Sequence, residues 1–338
     1  MIKHTYTSNE PFTFETGETL PSVDVAYHCS KEGYTGQKVI WICHALTADS
    51  NPTDWWESLC GEGKLLDPRK YFIICCNMLG SCYGSSGPSS INPETGEPYY
   101  FSFPRPTVRD IVRCQNFVRE HLGIEHIDIL VGSSIGGFQA LEWAIMYPEV
   151  VRKAIFMATL ERVRPWLTAF EESQRMALEA DQTFRECKSL KGGEMGLRCA
   201  RTIALISYRN EVGYNMRQWE QDIDTVFADR AGSYQRYQGK KLSDRFDAYS
   251  YYYLSFGVDS ENVGRGRGGV EKALARIKAD SLVVGIDSDL IFPAYEMKEM
   301  AELIGCPYKE ITSYFGHDGF LLEKEQITDI LTPILEQL

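Results

Sequence analysis

Short, unbroken apolar runs alternate along this chain with stretches in which apolar residues recur at helical spacing. Val39-Ile40-Trp41-Ile42-Cys43, Tyr71-Phe72-Ile73-Ile74-Cys75-Cys76, Ile127-Asp128-Ile129-Leu130-Val131, Ala154-Ile155-Phe156-Met157 and Ser281-Leu282-Val283-Val284-Gly285-Ile286 read as strands. A fully apolar strand is buried on both faces, as in a parallel sheet covered by helices on either side. Between the runs, residues 107–122 carry Val108, Ile111, Val112, Phe117 and Val118 on one helical face, and a helix from about Gly136 to Tyr147 stops at Pro148. A helix over 293–304, a strand-like Tyr308–Tyr314 and a C-terminal helix complete the series. From Arg162 to about residue 260 the rhythm breaks into a long helical block rich in Arg, Glu, Gln and Tyr, with no clear buried strand. The expected architecture is α/β, with a mostly parallel sheet, helices on both faces and a helical lid inserted into it. The core would span 1–161 and 261–338, and the lid 162–260.

Composition narrows the function classes. The chain has 338 residues, of which 43% are apolar and 24% charged, close to globular averages. No apolar run reaches the roughly 18 residues a membrane-spanning helix needs. The excess of 47 Asp and Glu over 35 Lys and Arg gives a net charge of −12. That sign disfavours electrostatic binding to nucleic acid or to an anionic membrane. Met1-Ile2-Lys3-His4-Thr5 offers no apolar stretch of secretory type, so a cytoplasmic location is expected. The ten cysteines form no CxxC pair and no Cys/His spacing suited to zinc, and several fall inside strand runs; reduced thiols and no metal site are expected.

The chemistry-bearing motif is Gly132-Ser133-Ser134-Ile135-Gly136, a GxSxG sequence placed directly between an apolar strand and the helix that begins Gly136-Gly137-Phe138-Gln139. In that context it reads as a nucleophile elbow, a strained strand-to-helix turn whose small neighbours let a serine project. Gly80-Ser81-Cys82-Tyr83-Gly84 has the same outline with cysteine, but Ser85-Ser86-Gly87-Pro88 follows and cannot start a helix; Cys82 is read as a loop residue. In proteins built on such an elbow the base follows the nucleophile along the chain, with the acid between them. Five of the six histidines precede Ser134, which leaves His317, in Tyr314-Phe315-Gly316-His317-Asp318-Gly319, as the base. The acid belongs after the preceding strand, where Gly285-Ile286-Asp287-Ser288-Asp289 offers both Asp287 and Asp289. Spacing does not choose between them. The loop His44-Ala45-Leu46-Thr47 lies where a second oxyanion donor usually arises, so the backbone N–H groups of Leu46 and Ile135 are the expected oxyanion hole. His44 is read as a loop-fixing residue. Gly264-Arg265-Gly266-Arg267-Gly268-Gly269 satisfies GxGxxG but follows no strand, and is read as a turn between lid and core. Tyr249-Ser250-Tyr251-Tyr252-Tyr253 is read as part of a packed amphipathic helix.

Taken together, these motifs resemble those of the homoserine O-acetyltransferases, acyltransferases of methionine biosynthesis on the α/β-hydrolase fold. The likeness spans roughly residues 39–325. It rests on His44-Ala45-Leu46-Thr47, Trp55-Trp56, Gly61-Glu62-Gly63-Lys64 and the run from Gly80 to Pro93. It continues through Ala140-Leu141-Glu142-Trp143-Ala144, Arg236-Tyr237-Gln238-Gly239-Lys240-Lys241, Arg245-Phe246-Asp247-Ala248, Val263–Gly269 and Gly316-His317-Asp318-Gly319-Phe320-Leu321. The resemblance implies that Asp289 is the acid of a triad with Ser134 and His317. It also implies that Arg201, with Tyr208 nearby, and Asp318 bind the amino-acid substrate. A fork of donors for the carboxylate and a carboxylate for the ammonium is what a zwitterion requires. It further implies acetyl-CoA as co-substrate with no bound cofactor, L-homoserine as acceptor, and a homodimer formed through the lid helices. The chain departs from the family pattern at Ser133, Ile135 and Ala48 and in a shorter lid near Gly192-Gly193-Glu194. Those departures surround the acyl pocket, so a homoserine O-succinyltransferase and a serine O-acyltransferase stay open as alternatives on the same scaffold, and a carboxylester hydrolase with the same triad is the nearest rival.

Overall fold

The computed structural model describes residues 1–338, and its centre is one eight-stranded sheet. The strands are β1 (Ile2–Thr7), β2 (Asp24–Cys29), β3 (Val39–Cys43), β4 (Phe72–Cys76), β5 (Ile127–Ser133), β6 (Val151–Met157), β7 (Asp280–Ile286) and β8 (Tyr308–Ile311). Their spatial order is β1-β2-β4-β3-β5-β6-β7-β8. β2 is antiparallel to both of its neighbours, and every pairing from β4 to β8 is parallel. Successive side chains of the central strands divide between two apolar layers: Trp41 and Cys43 face one, Ile40 and Ile42 the other. This is why those runs carry no polar alternation.

The main helices of the sheet are α1 (Val108–His121) and α2 (Ile135–Met146), then a C-terminal pair after the insertion. Within the insertion, between β6 and β7, lie α3 (Pro165–Glu179), α4 (Glu194–Tyr208), α5 (Glu211–Gln218), α6 (Arg230–Ser243) and α7 (Ala248–Asp259). The C-terminal pair is α8 (Ala294–Ile304) and α9 (Lys324–Leu335). α1 begins at a capping box in which Thr107 accepts from the Asp110 N–H and the Asp110 carboxylate accepts from the Thr107 N–H. α1, α2 and α8 cover one face of the sheet, and α9 covers the other with Trp56, Leu59 and Leu66. No helix is long and apolar enough to cross a membrane.

Three features differ from the sequence expectations. β1 and β2 are additional strands at one edge of the sheet; the positions of β1 alternate between half-buried and exposed, so it lacks the apolar run that marks the central strands. β8 ends at Ile311, three residues before the expected Tyr314. α7 is not amphipathic: Tyr249, Tyr251 and Tyr253 are all buried, and their hydroxyls are bonded to Phe184 O, the Gln174 side chain and Phe101 O. The Gly264–Gly269 segment is indeed a turn, and its arginines are paired with carboxylates of the core. Arg265 Nη1 meets Glu15 Oε1 at 3.1 Å, and Arg267 meets both oxygens of the buried Glu142 at 2.8 and 2.6 Å.

Candidate active site

β3 lies between β4 and β5, so the chain leaves it toward one neighbour and returns on the other side. Such a reversal opens a crevice outside the carboxyl ends of the strands. Ser134 follows β5, Leu46 follows β3, Asp289 follows β7, and His317 follows β8. Adjacency in the sheet therefore brings together four positions that are far apart in sequence.

Ser134 has φ 60° and ψ −131° at the start of α2. A side-chain-bearing residue there is strained, and its presence marks a functional turn. The two flanking glycines are dictated by space. A Cβ on Gly132 would lie 2.0 Å from Gly136 O, and one on Gly136 would lie 2.1 Å from Cys43 O. As the first residue of α2, Ile135 has no intrahelical acceptor for its N–H. The N–H of Leu46 donates to no protein group. Both donors are held by a network the sequence did not reveal. Gln139 Nε2 donates to His44 O and Ile135 O at 3.3 and 3.2 Å, and Gln139 Oε1 accepts from Gln115 Nε2 at 2.6 Å. His44 fixes the same loop, its Nδ1 bonded to Ala45 O at 2.9 Å while its Nε2 accepts from the Met78 N–H at 3.3 Å. Complete burial holds the His44 pKa below the ordinary imidazole value.

His317 Nδ1 stands 2.7 Å from Asp289 Oδ2. Asp289 is buried, and its other oxygen accepts from the N–H groups of Ile291 and Phe292 at 2.9 and 3.0 Å. Asp287 is exposed and accepts instead from the Ser313 N–H at 3.0 Å. The rings of Phe292, Phe320 and Tyr208 surround the His317 imidazole at centroid distances of 5.3, 5.4 and 5.7 Å. No hydrogen bond joins Ser134 to His317 in this conformation, although both line the same cavity; catalytic contacts commonly tighten only when substrate is present.

That cavity measures about 410 Å³ and is also bordered by Leu46, Arg201, Tyr208 and Asp318. Arg201 and Tyr208 are two turns apart on α4, and the guanidinium stands 5.6 Å from the phenol ring. Arg201 forms no ion pair with any carboxylate of the chain. Asp318 is held by Arg209 at 3.2 Å. Burial pushes the Tyr208 phenol above its ordinary value, and the Glu171 carboxylate adds to that shift, so the hydroxyl stays protonated. The mouth carries further residues that sequence reasoning passed over: Trp55, Tyr83, Lys241 and Arg245. Arg245 Nη1 reaches Thr47 O at 2.5 Å and Tyr83 Oη at 2.6 Å, bridging the insertion and the core. Their only sequence signal was membership in longer matched runs. Cys82 lies outside this cavity, and burial pushes its thiol up to about 12. No group of three or more His, Cys, Asp or Glu side chains is placed to hold a metal ion.

Comparison with known proteins fits this geometry. Residues 38–324 match the family model described as alpha/beta hydrolase fold. Homoserine O-acetyltransferase from Cyclobacterium marinum is 42% identical over 98% of this chain and 94% of its own length. Among solved structures, homoserine O-acetyltransferase from Bacillus anthracis superposes with a TM-score of 0.86 at 24% identity, covering 98% of this chain and 97% of that one. An acetylester hydrolase from Corynebacterium glutamicum gives the same TM-score of 0.86 at 23% identity, covering 99% and 96%. The two superpositions speak for the fold alone, because a transferase and a hydrolase match equally well. The sequence likeness is what separates them.

Proposed function

Because the chain belongs to the homoserine O-acetyltransferase family of α/β hydrolases, we propose that it transfers acetyl from acetyl-CoA to the side-chain hydroxyl of L-homoserine through an acyl-Ser134 intermediate. One observation carries this reading: the elbow serine and a histidine backed by Asp289 share a single cavity with an unpaired arginine and a carboxylate. A hydrolase of simple esters has no use for the second pair of groups. A free amino acid needs both.

In the first half-reaction His317, oriented by Asp289, takes the Ser134 proton as Oγ attacks the thioester carbonyl. The oxyanion is held by the N–H groups of Leu46 and Ile135 at the N-terminus of α2, where the helix dipole also favours negative charge. The C–S bond breaks, the departing thiolate takes the proton from the imidazolium, and CoA leaves. Homoserine then enters with its carboxylate toward Arg201 and Tyr208 and its ammonium toward Asp318. His317 removes the hydroxyl proton, the new O–C bond forms, and Ser134 Oγ leaves and regains its proton. The reaction needs two organic substrates and no resident cofactor.

The division into a core of 1–161 and 261–338 and a lid of 162–260 follows the insertion of α3–α7. Transfer outruns hydrolysis when that lid keeps water from the acyl-enzyme. Met216, Trp219, Ile223, Val226 and Phe227 are largely exposed on the lid, an apolar surface that a second copy of the chain would cover. A homodimer built through the lid is the assembly this supports, and sedimentation at micromolar concentration tests it.

Thiol release from acetyl-CoA, followed with a chromogenic disulfide, tests the reaction. Release should be steady with homoserine and limited to a single burst without it. Release at the same rate without an acceptor would make water the acceptor and the protein a hydrolase.

A further inference from the structure

We propose that Glu171 is a specificity-determining residue: it closes the acyl pocket behind Ser134, so that the pocket takes a two-carbon acyl group and rejects longer or anionic chains. This inference rests on the acyl-transfer reading above. Besides the main cavity, Ser134 borders a second void of only about 20 Å³. Leu46 and Ile135 line it on the side of the oxyanion donors, and Leu167 and Glu171, one turn apart on α3, belong to its wall.

The chemistry decides what occupies this void. The tetrahedral carbon carries four groups: Ser134 Oγ, the oxyanion, the leaving or attacking group, and the acyl chain. The oxyanion turns to Leu46 and Ile135. The leaving thiolate and the attacking hydroxyl must both face His317 across the large cavity. The acyl chain is left with the small void, whose volume is about that of one water- or methyl-sized group.

Glu171 is 2% exposed, and its Oε2 has no hydrogen-bond partner. The adjacent cation is already committed. Arg175 Nε meets Glu172 at 2.8 Å, its Nη2 meets Asp259 at 2.7 Å, and its Nη1 meets Ser255 Oγ at 3.2 Å. Burial, reinforced by the Asp259 carboxylate, pushes the Glu171 carboxyl up to about 8, so the wall is largely uncharged at neutral pH. A butyryl chain would lack room. A succinyl chain would lack room and would also bury a carboxylate with no cation to meet it, which is costly.

The test compares acetyl-, propionyl-, butyryl- and succinyl-CoA as donors, with homoserine, for the wild-type chain and for Glu171→Ala and Glu171→Gln. In the wild type, butyryl-CoA should fall at least ~100-fold below acetyl-CoA in kcat/KM, as methylene discrimination in an apolar pocket allows. Glu171→Ala should raise the butyryl-to-acetyl ratio by ~10-fold or more and the succinyl-to-acetyl ratio by less, since the cation is still missing. Glu171→Gln, of equal size, should leave the butyryl-to-acetyl ratio within about twofold of wild type. Ratios unchanged in Glu171→Ala would overturn the proposal, as would a wild type that uses butyryl-CoA as readily as acetyl-CoA. Should the alanine variant fail to fold, Glu171→Asp shortens the wall by one methylene and should admit propionyl, whereas an unmoved propionyl ratio would refute it. The burst of thiol released in acylation reads donor preference without any acceptor. Failure of the transferase reading, seen as acceptor-independent turnover, is thus separable from failure of the assignment to Glu171.

Discussion

Asp289→Asn isolates the orienting role of the buried carboxylate, because the structure dictates how the new amide must sit. One oxygen of Asp289 already accepts two backbone hydrogen bonds, from Ile291 and Phe292 at 2.9 and 3.0 Å. Only the amide oxygen can replace it there, so the amide nitrogen must take the other position, 2.7 Å from His317 Nδ1. Two donors cannot share that contact. The imidazole is driven into the tautomer with Nδ1 as acceptor and the proton on Nε2, the atom that should receive the Ser134 proton. The variant loses both the base and the charge that stabilises the imidazolium. A substitution of this kind in a serine protease triad costs about 10⁴ in kcat. A loss of 10³ to 10⁴ is expected here, about 4 to 5.5 kcal/mol of barrier. Thiol release under single-turnover conditions reads the acylation step, and circular dichroism shows whether the fold survives. Asp287→Asn serves as the control, since that carboxylate is exposed and bonded only to the Ser313 N–H. Acylation within about tenfold of wild type for Asp289→Asn, or a greater loss for Asp287→Asn, would refute the assignment.

Further predictions come from other parts of the molecule. Arg201→Ala should raise the KM for homoserine by ~10²-fold while the acylation burst changes by less than about threefold; equal damage to both half-reactions would remove it from the amino-acid site. Gly136→Ala places a methyl group 2.1 Å from Cys43 O and should destabilise the fold by ~3 kcal/mol or more, read from denaturant midpoints. Glu171 titrates about 8 in the native protein against an ordinary 4.5, so native and unfolded states hold the same proton below pH 4.5 and only the native state holds it between there and pH 8. Stability tied to this group is therefore full at acid pH and falls as pH rises, by at most ~1.4 kcal/mol per pH unit. Glu171→Gln should gain on wild type between pH 5 and pH 8 in urea titrations, and parallel curves would contradict that.

Much of the fold was legible because the central strands are largely apolar and several lead into helices with their own start and stop signals. The elbow was legible for a related reason: its glycines are fixed by contacts of 2.0 and 2.1 Å with backbone carbonyls, and such constraints leave a local motif. β1 left little trace, since an edge strand half-covered on one side needs only alternate apolar positions, and in β2 Asp24 and His28 interrupt the apolar run. The choice between Asp287 and Asp289 was out of reach of spacing, because both follow the same strand; it is expressed only in which carboxylate turns inward to His317. Gln139 and Glu171 were invisible for the same reason. Each lies within an ordinary helix, and its contacts belong to segments distant in sequence.

The bridge from Arg245 to Thr47 O and Tyr83 Oη acts as an interlock. Thr47 is the residue after Leu46, so whatever moves Arg245 also moves the peptide next to an oxyanion donor. Lifting the insertion away from the core would break two charge-assisted contacts and slacken the Leu46 N–H together. An intermediate exposed to solvent in this way would meet water just when the apparatus for attacking it had come apart. Protection of the acyl-enzyme then does not depend on a perfect seal. Arg245→Ala uncouples the two, and should raise the share of acyl-enzyme lost to water relative to that captured by homoserine; an unchanged share would show that the insertion and the oxyanion loop move independently.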